Sequence, residues 1–555
     1  MKMKMKRARI GIVLVLAVCL GTSAQQKQAP ADVALNQISP SWIAAHIRFL
    51  ADSLLEGRET ATRGQQIAAL YVASYFEALG LKPATPAGFI QKVPLRKTEI
   101  EESDASMVLI NGDQQRPLEY HKDFLLHPSM ISDAIDVTAP VVFVGWGVTD
   151  PEQHYDDYAG VDAKGKIVAM FFGGPASTPS DERGYYSLLT TKEANAYAHG
   201  AVGIVTLLPG PGPLIEEKIN RQLDGFGWLD NSGKAHARFF EEGPAGRLTM
   251  SGIDALFAGT SHTVKDLAAA LAKGPQSFDL PVKMRIHGTM RHSTVESQNV
   301  VAVLPGSDPV LRNEYVVYSA HMDHVGIGPA VNGDTVYHGA LDNAGGTATI
   351  MAAARAFASL PKPPKRSLIF VAVTGEEKGI LGSDYFVHNP PVPLEQIVAD
   401  INCDNFLMLY PVKDIAPIGA EYSTLMNAVK EATAHLGIAI SADAAPDQMV
   451  FTRSDHFPFM VMGVPGVFFF NGVNSGDGKR SGGQVINDWL GTVHHTPKDT
   501  VGQGINWDAA VSYTRLNFLV GYDVANDSKR PQWTGHYFFQ APTPATKAAG
   551  AGSRN

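Results

Sequence analysis

Cysteine is almost missing from this chain. Its 555 residues include two, Cys19 and Cys403. Cleavage after Ala24 leaves Cys403 alone, which excludes disulfides within the mature protein. Long apolar runs are scarce as well. The stretch Ile10–Leu20 is too short for a good membrane span. Excess positive charge is also lacking. The formal charge is −9, and it becomes −14 once the five basic residues of positions 1–24 are removed. Such a surface disfavours nucleic acid and anionic membranes as partners. No internal repeat is visible. What remains, 45% hydrophobic and 18% charged, is ordinary globular material, enough for two or more domains.

The N-terminus sets the compartment. Lys2, Lys4, Lys6, Arg7 and Arg9 precede the apolar stretch, and Thr22-Ser23-Ala24 fits a small-residue cleavage site. Residues 1–24 read as a signal peptide, so the protein is expected to be secreted or periplasmic. Cys19 raises a lipoprotein alternative, but Val18 is too large for a usual lipobox. Cys403, at the end of an apolar run, reads as a small buried hydrophobe rather than a nucleophile.

Three apolar runs read as buried strands: 314–320, 367–374 and 396–403. Each delivers polar residues at its end. The first runs into His321-Met322-Asp323-His324, the second into Gly375-Glu376-Glu377, and the third into Asp404. Between the first two lie Gly339-Ala340-Leu341-Asp342-Asn343 and a helical stretch over 347–360. Strand-helix-strand alternation over about 300–410 predicts an α/β sheet, with ligands gathered at the strands' carboxyl ends. Carboxylates just past a buried strand are costly to leave unpaired, and a metal ion would offset that cost. Taken alone, Glu376-Glu377 reads equally as a solvated turn; its company favours a site.

These motifs, with His495-x-x-x-Asp499-Thr500 near the C-terminus, resemble metallopeptidase family 28, the co-catalytic di-zinc aminopeptidases. The resemblance implies a mixed, largely parallel sheet flanked by helices. It also implies two zinc ions per chain. Asp342 would be shared between them, Glu377 and His495 would complete one site, and His321 and Asp404 the other. Glu376 would be the general base. Asp323 would accept the free ring N–H of His321, and Asp499 would brace His495 in a similar way. Zinc takes imidazole nitrogen and carboxylate oxygen, and this donor set argues against copper or an iron-sulfur cluster, while manganese and cobalt remain compatible. Arg453 reads either as a substrate contact or as a structural salt bridge. His494 stands where some relatives have a tyrosine that helps the oxyanion; it either donates similarly or packs. His324 and His338 read as structural histidines, and Lys378 and Asp384 as solvated.

The rest of the chain divides readily. Residues 25–119 read as the N-terminal part of the catalytic domain, helical over Pro40–Leu81. Glu56-Gly57-Arg58-Glu59-Thr60 resembles a segment of family members with an inserted domain. Residues 120–290 are similar to the β-rich protease-associated domain, and no ligand or nucleophile set is visible in them. Residues 291–526 complete the catalytic domain, and 527–555 form a tail, disordered in its Ala/Pro/Gly-rich part. The expected activity is hydrolysis of the N-terminal residue from peptides with a free N-terminus. Three alternatives stand: a dipeptidase or carboxypeptidase with the same metal centre, a glutaminyl cyclase-like transferase, and a non-catalytic receptor-like binding protein.

Overall fold

The computed structural model describes residues 30–208, 225–236, 243–404, 407–476, 478–535 and 537–539. The signal-peptide reading of 1–24 and the tail beyond 539 lie outside the described residues.

Four parallel strands form the centre of the main sheet, in the order Ser367–Val373, Tyr315–His321, Ile397–Asn402 and Gly466–Asn471. The antiparallel strands that flank them are the end of Ser277–Leu304 on one side and Asp414–Ile418 on the other. The sheet is therefore mixed and largely parallel. Alternation explains its two cores. In the strand 367–373, Leu368, Phe370 and Ala372 pack beneath the helices Pro40–Leu50, Gly346–Ala358 and Trp507–Asn526. Ile369, Val371 and Val373 face the other way, against Phe386, Val387 and Phe459. A strand covered on both faces reads as a continuous apolar run, which is why these were legible.

A second group of strands is joined to the first by Ser277–Leu304, which runs through both. Its last part pairs with Ile90–Ile100 and Ser367–Val373. Its earlier part pairs with Ser106–Asn111 and Ala134–Val144. Beyond these, parallel pairing links Ala134–Val144, Ile167–Phe171, Gly203–Leu207 and Ala245–Leu248. This second group encloses cores of its own. Among the described residues, no helix is long and apolar enough to cross a membrane.

The segment Glu56–Thr60 ties the N-terminal helices to the main sheet. Gly57 takes a φ of +69°, and a Cβ there would lie 2.4 Å from the Gly326 carbonyl oxygen, so only glycine fits. Next to it, Arg58 is buried and donates to the carbonyls of Met322 (3.0 Å), His338 (2.7 Å), Gly339 (2.9 Å) and Leu50. The first three belong to the loops that follow His321 and precede Asp342, and the last ends the helix Pro40–Leu50. Arg58→Ala would remove a donor from each, although the Gly339 carbonyl also accepts from Ala344 N–H (3.2 Å), at about 1–3 kcal/mol for each buried group left unsatisfied. Urea unfolding of the variant is expected to show a loss of at least about 3 kcal/mol, given that such terms are not additive.

Candidate metal centre

The polar cluster forms where the parallel strands end. His321 is the last residue of its strand, Glu376 and Glu377 follow Val373 closely, and Asp404 lies just past Asn402. Asp342 comes from the loop before the helix Gly346–Ala358. That helix begins against the end of the third strand: a Cβ on Gly346 would lie 1.8 Å from the Cys403 carbonyl oxygen. Asn343 fastens the contact, accepting from Gly346 N–H (2.8 Å) and donating to the Cys403 carbonyl (2.9 Å). The segments that carry Asp342 and Asp404 are thereby held to one another through the Asn343 side chain.

Two donor groups meet at Asp342. One comprises His321, Asp342 and Asp404, the other His324, Asp342, Glu377 and His495. In the first, His321 Nε2 lies 3.4 Å from Asp342 Oδ1 and 3.6 Å from Asp404 Oδ1. In the second, His495 Nε2 lies 3.1 Å from Asp342 Oδ2 and 2.9 Å from Glu377 Oε2. His321 Nε2 and Asp404 Oδ1 are buried and lack hydrogen-bond partners among the described residues, as donors aimed at a cation would be. Imidazole and carboxylate suit zinc, and each group offers at least three donors. Glu376 belongs to neither group; its Oε2 stands 4.0 Å from His321 Nε2.

Electrostatics follow from burial and crowding. Burial raises the Glu376 carboxyl well above the usual range, reinforced by Glu377, Asp455 and Asp404, although His321 opposes it. Burial works to lower His321, but Glu376, Asp404 and Asp342 outweigh it and hold the imidazole well above its ordinary value. Burial likewise opposes His495, yet Glu377 and Asp342 push it up to about 10. His494 goes the other way, down to about 4, through burial and the neighbouring His495. Such opposed shifts in one cleft mark a functional site.

Several expectations need correction. The Asp323 carboxylate does not take the His321 ring N–H. Its Oδ1 stands 3.9 Å from Nδ1, whereas the Asp323 main-chain oxygen is at 3.3 Å. The carboxylate instead accepts from Thr60 Oγ (2.8 Å) and from Glu376 N–H (3.3 Å), fixing the turn that carries the Glu pair. Asp499 does not brace His495. It accepts from Leu341 N–H (3.0 Å) and Asp342 N–H (3.1 Å), holding the loop of the shared carboxylate. Lys378 is not solvated; it is buried and pairs with Glu59 at 3.0 Å. Asp384 accepts from Trp228 Nε1 at 2.7 Å. His324 is more than a packing residue, since its Nδ1 lies 2.8 Å from Glu377 Oε1 and 3.6 Å from Asp342 Oδ2. The only sequence signal for it was its place directly after Asp323. His338 stands apart, bonded to the Ala51 carbonyl and Asp334.

His494 stacks on His495 at 3.8 Å and places Nε2 3.0 Å from Asp342 Oδ2. Arg453 is exposed, donates to the Gln448 carbonyl (3.1 Å), and lines the cleft above the cluster. That cleft holds about 460 Å³, and its far wall comes from the second group of strands and the helices beside it.

Residues 299–520, which span every member of the cluster, match the model of peptidase family M28. This segment resembles a peptidase family M28 domain. Two curated relatives illustrate how far the likeness extends. Leupeptin-inactivating enzyme 1 of Streptomyces exfoliatus is 29% identical over 192 residues, 34% of this chain and 38% of that enzyme. Carboxypeptidase Q of Xenopus laevis is 24% identical over 222 residues, 39% of this chain and 42% of that one. The chain thus covers less than half the length of either. Among solved structures, an aminopeptidase from Aneurinibacillus sp. strain AM-1 shares the fold with a TM-score of 0.52 at 18% identity, over 92% of this chain and 99% of that one.

Proposed function

We propose that this M28 domain makes the chain a secreted, two-zinc exopeptidase that removes the N-terminal residue from peptides. The observation that carries the reading is Asp342, one carboxylate within reach of two separate donor groups. His321, Asp342 and Asp404 would hold one zinc ion. Asp342, Glu377 and His495 would hold the other, with His324 beside them. Bound zinc supplies Lewis acidity, which lowers the pKa of water and steadies a developing oxyanion.

The chain's own residues do the rest. Glu376 takes a proton from the attacking water and returns it to the leaving amine. Its position suits a base: it is half-buried, lines the cleft and is outside both donor groups. Asp323 holds the Glu376 main chain, and Asp499 holds that of Asp342. His494, with Nε2 facing Asp342, acts on the shared carboxylate rather than on the oxyanion. Arg453 contacts the substrate from the open side of the cleft. Residues 120–290 act as a protease-associated domain that walls the cleft.

The test is zinc analysis coupled to a panel of aminoacyl amides, N-blocked dipeptides and C-blocked dipeptides, with and without chelator. Chelator-sensitive cleavage that needs a free amine supports the aminopeptidase. Cleavage of N-blocked substrates would favour a carboxypeptidase instead.

A further inference from the structure

The cleft has a second built element opposite the metal centre. The parallel strands Ile167–Phe171, Gly203–Leu207 and Ala245–Leu248 end at it, contributing Phe172, Leu208 and Arg247 to its wall. Arg247 is only 8% exposed, yet its Nη1 has no hydrogen-bond partner among the described residues. Burial lowers its pKa to about 10, with no described carboxylate close enough to oppose the shift. The guanidinium therefore stays charged at neutral pH. A buried charge that no described carboxylate offsets is costly, so an arriving anion would be bound strongly.

The acids that share the cleft are committed elsewhere. Asp342, Glu376, Glu377 and Asp404 belong to the metal centre. Asp447 is paired with Arg183 at 3.1 Å. His127, the titratable neighbour that Arg247 acts upon, is held well below its ordinary pKa by burial and by Arg247, so it adds no second positive charge beside the guanidinium. The surrounding wall is apolar (Phe172, Leu208, Leu188 and Leu189), which excludes water from a docked ion pair.

We propose that Arg247 binds a carboxylate of the substrate, making the preferred substrates short peptides with a free carboxylate on the leaving-group side of the bond cleaved. The inference rests on the exopeptidase reading for its purpose, but not for its test. The carboxylate has two sources, the C-terminus of a two- to four-residue peptide or an acidic side chain. Arg247 comes from the segment with no ligand set legible in sequence, so the cleft's selectivity would be divided. The main sheet supplies the chemistry and the second group of strands the anion site.

Calorimetry on the zinc-loaded Glu376→Gln protein tests this without consuming ligand. The probes are Leu-Leu, Leu-Leu-NH2, Leu-Asp-NH2 and their three- and four-residue homologues. At one or more lengths, a free acid is expected to bind at least tenfold tighter than its amide, with Arg247→Gln abolishing the difference. Arg247→Lys, which keeps the charge but not the planar fork, should reduce it several-fold and serves if the glutamine variant fails to fold. An Asp amide that binds like the free acid would identify the side chain as the source. Equal binding of acid and amide at every length, including no binding of either, overturns the proposal. So does an acid preference that persists unchanged in Arg247→Gln, since the carboxylate would then sit on the metal centre. Absence of wild-type turnover on any peptide would instead defeat the exopeptidase reading and leave the binding ratio standing.

Discussion

Replacing Glu376 with alanine is expected to leave the zinc content unchanged while kcat falls by roughly 10²–10⁴-fold, the usual span for a lost general acid–base group. The two halves of the expectation come from separate observations. Glu376 is outside both donor groups, so neither should lose a ligand. Its carboxyl nonetheless reaches into the cleft, half-buried beside Glu377 and 4.0 Å from His321. Burial and the nearby Glu377, Asp455 and Asp404 make it hold a proton more readily than an ordinary glutamate. Cations in the site would act in the opposite direction. A base that must both accept and return a proton works best between these extremes. Zinc loss in Glu376→Ala, measured by metal analysis beside steady-state kinetics, would show that base and ligand roles are misassigned. So would a kcat within tenfold of the wild type.

Asp342→Asn should do more damage. Asparagine keeps the shape of the side chain but removes the one carboxylate that both donor groups share. Changes in the outer shell of a metal site typically cost 10–100-fold in affinity. Losing a shared ligand should exceed that for both ions, leaving less than one zinc per chain after dialysis. Peptide hydrolysis is expected to fall by at least about 10³-fold, a barrier increase of about 4 kcal/mol. The loop itself should survive, because its main chain is held by Asp499 and Arg58 rather than by the Asp342 side chain. Near-native circular dichroism with absent metal is therefore the expected signature. Full peptidase activity in Asp342→Asn would contradict the account.

The contrast between these residues and Arg58 shows what a sequence discloses. The strands 315–321, 367–373 and 397–402 were legible because each is covered on both faces and reads as an unbroken apolar run. The polar residues at their ends were legible because a parallel sheet gathers them at one edge. Contacts that join distant segments were not. Arg58 reaches carbonyls more than 260 positions away, and nothing local marks Thr60 as the partner of Asp323. Lys378 looks like a surface lysine until Glu59 is brought beside it. Asp499 stands four residues after His495, which suggested a brace, but the turn between them directs it to the Asp342 main chain. Arg247 lies in the short buried strand Ala245–Leu248, and that its Nη1 lacks a hydrogen-bond partner among the described residues becomes visible only in three dimensions.

His324 carries a related lesson. Its neighbour His321 was picked out by the strand that precedes it, whereas His324 lies three positions further on. The Arg58 carbonyl accepts its main-chain N–H at 3.1 Å, and Glu377 meets its ring. The N-terminal segment thus shapes both sides of the donor cluster. Burial lowers Arg58 to about 10, while Asp499, Asp342, Asp323 and Glu377 act to keep it protonated. A permanent cation under the cluster offsets part of the repulsion among its carboxylates before any metal arrives.

The central claim is that Asp342 serves two zinc sites at once. The most direct measurement is a zinc titration of the metal-stripped protein, following bound metal and cleavage of an unblocked aminoacyl amide in the same samples. The account predicts saturation at two zinc ions per chain, with full activity only as the second is bound and none in Asp342→Asn. Saturation at one ion with full activity, or cleavage that survives complete removal of metal, would contradict it.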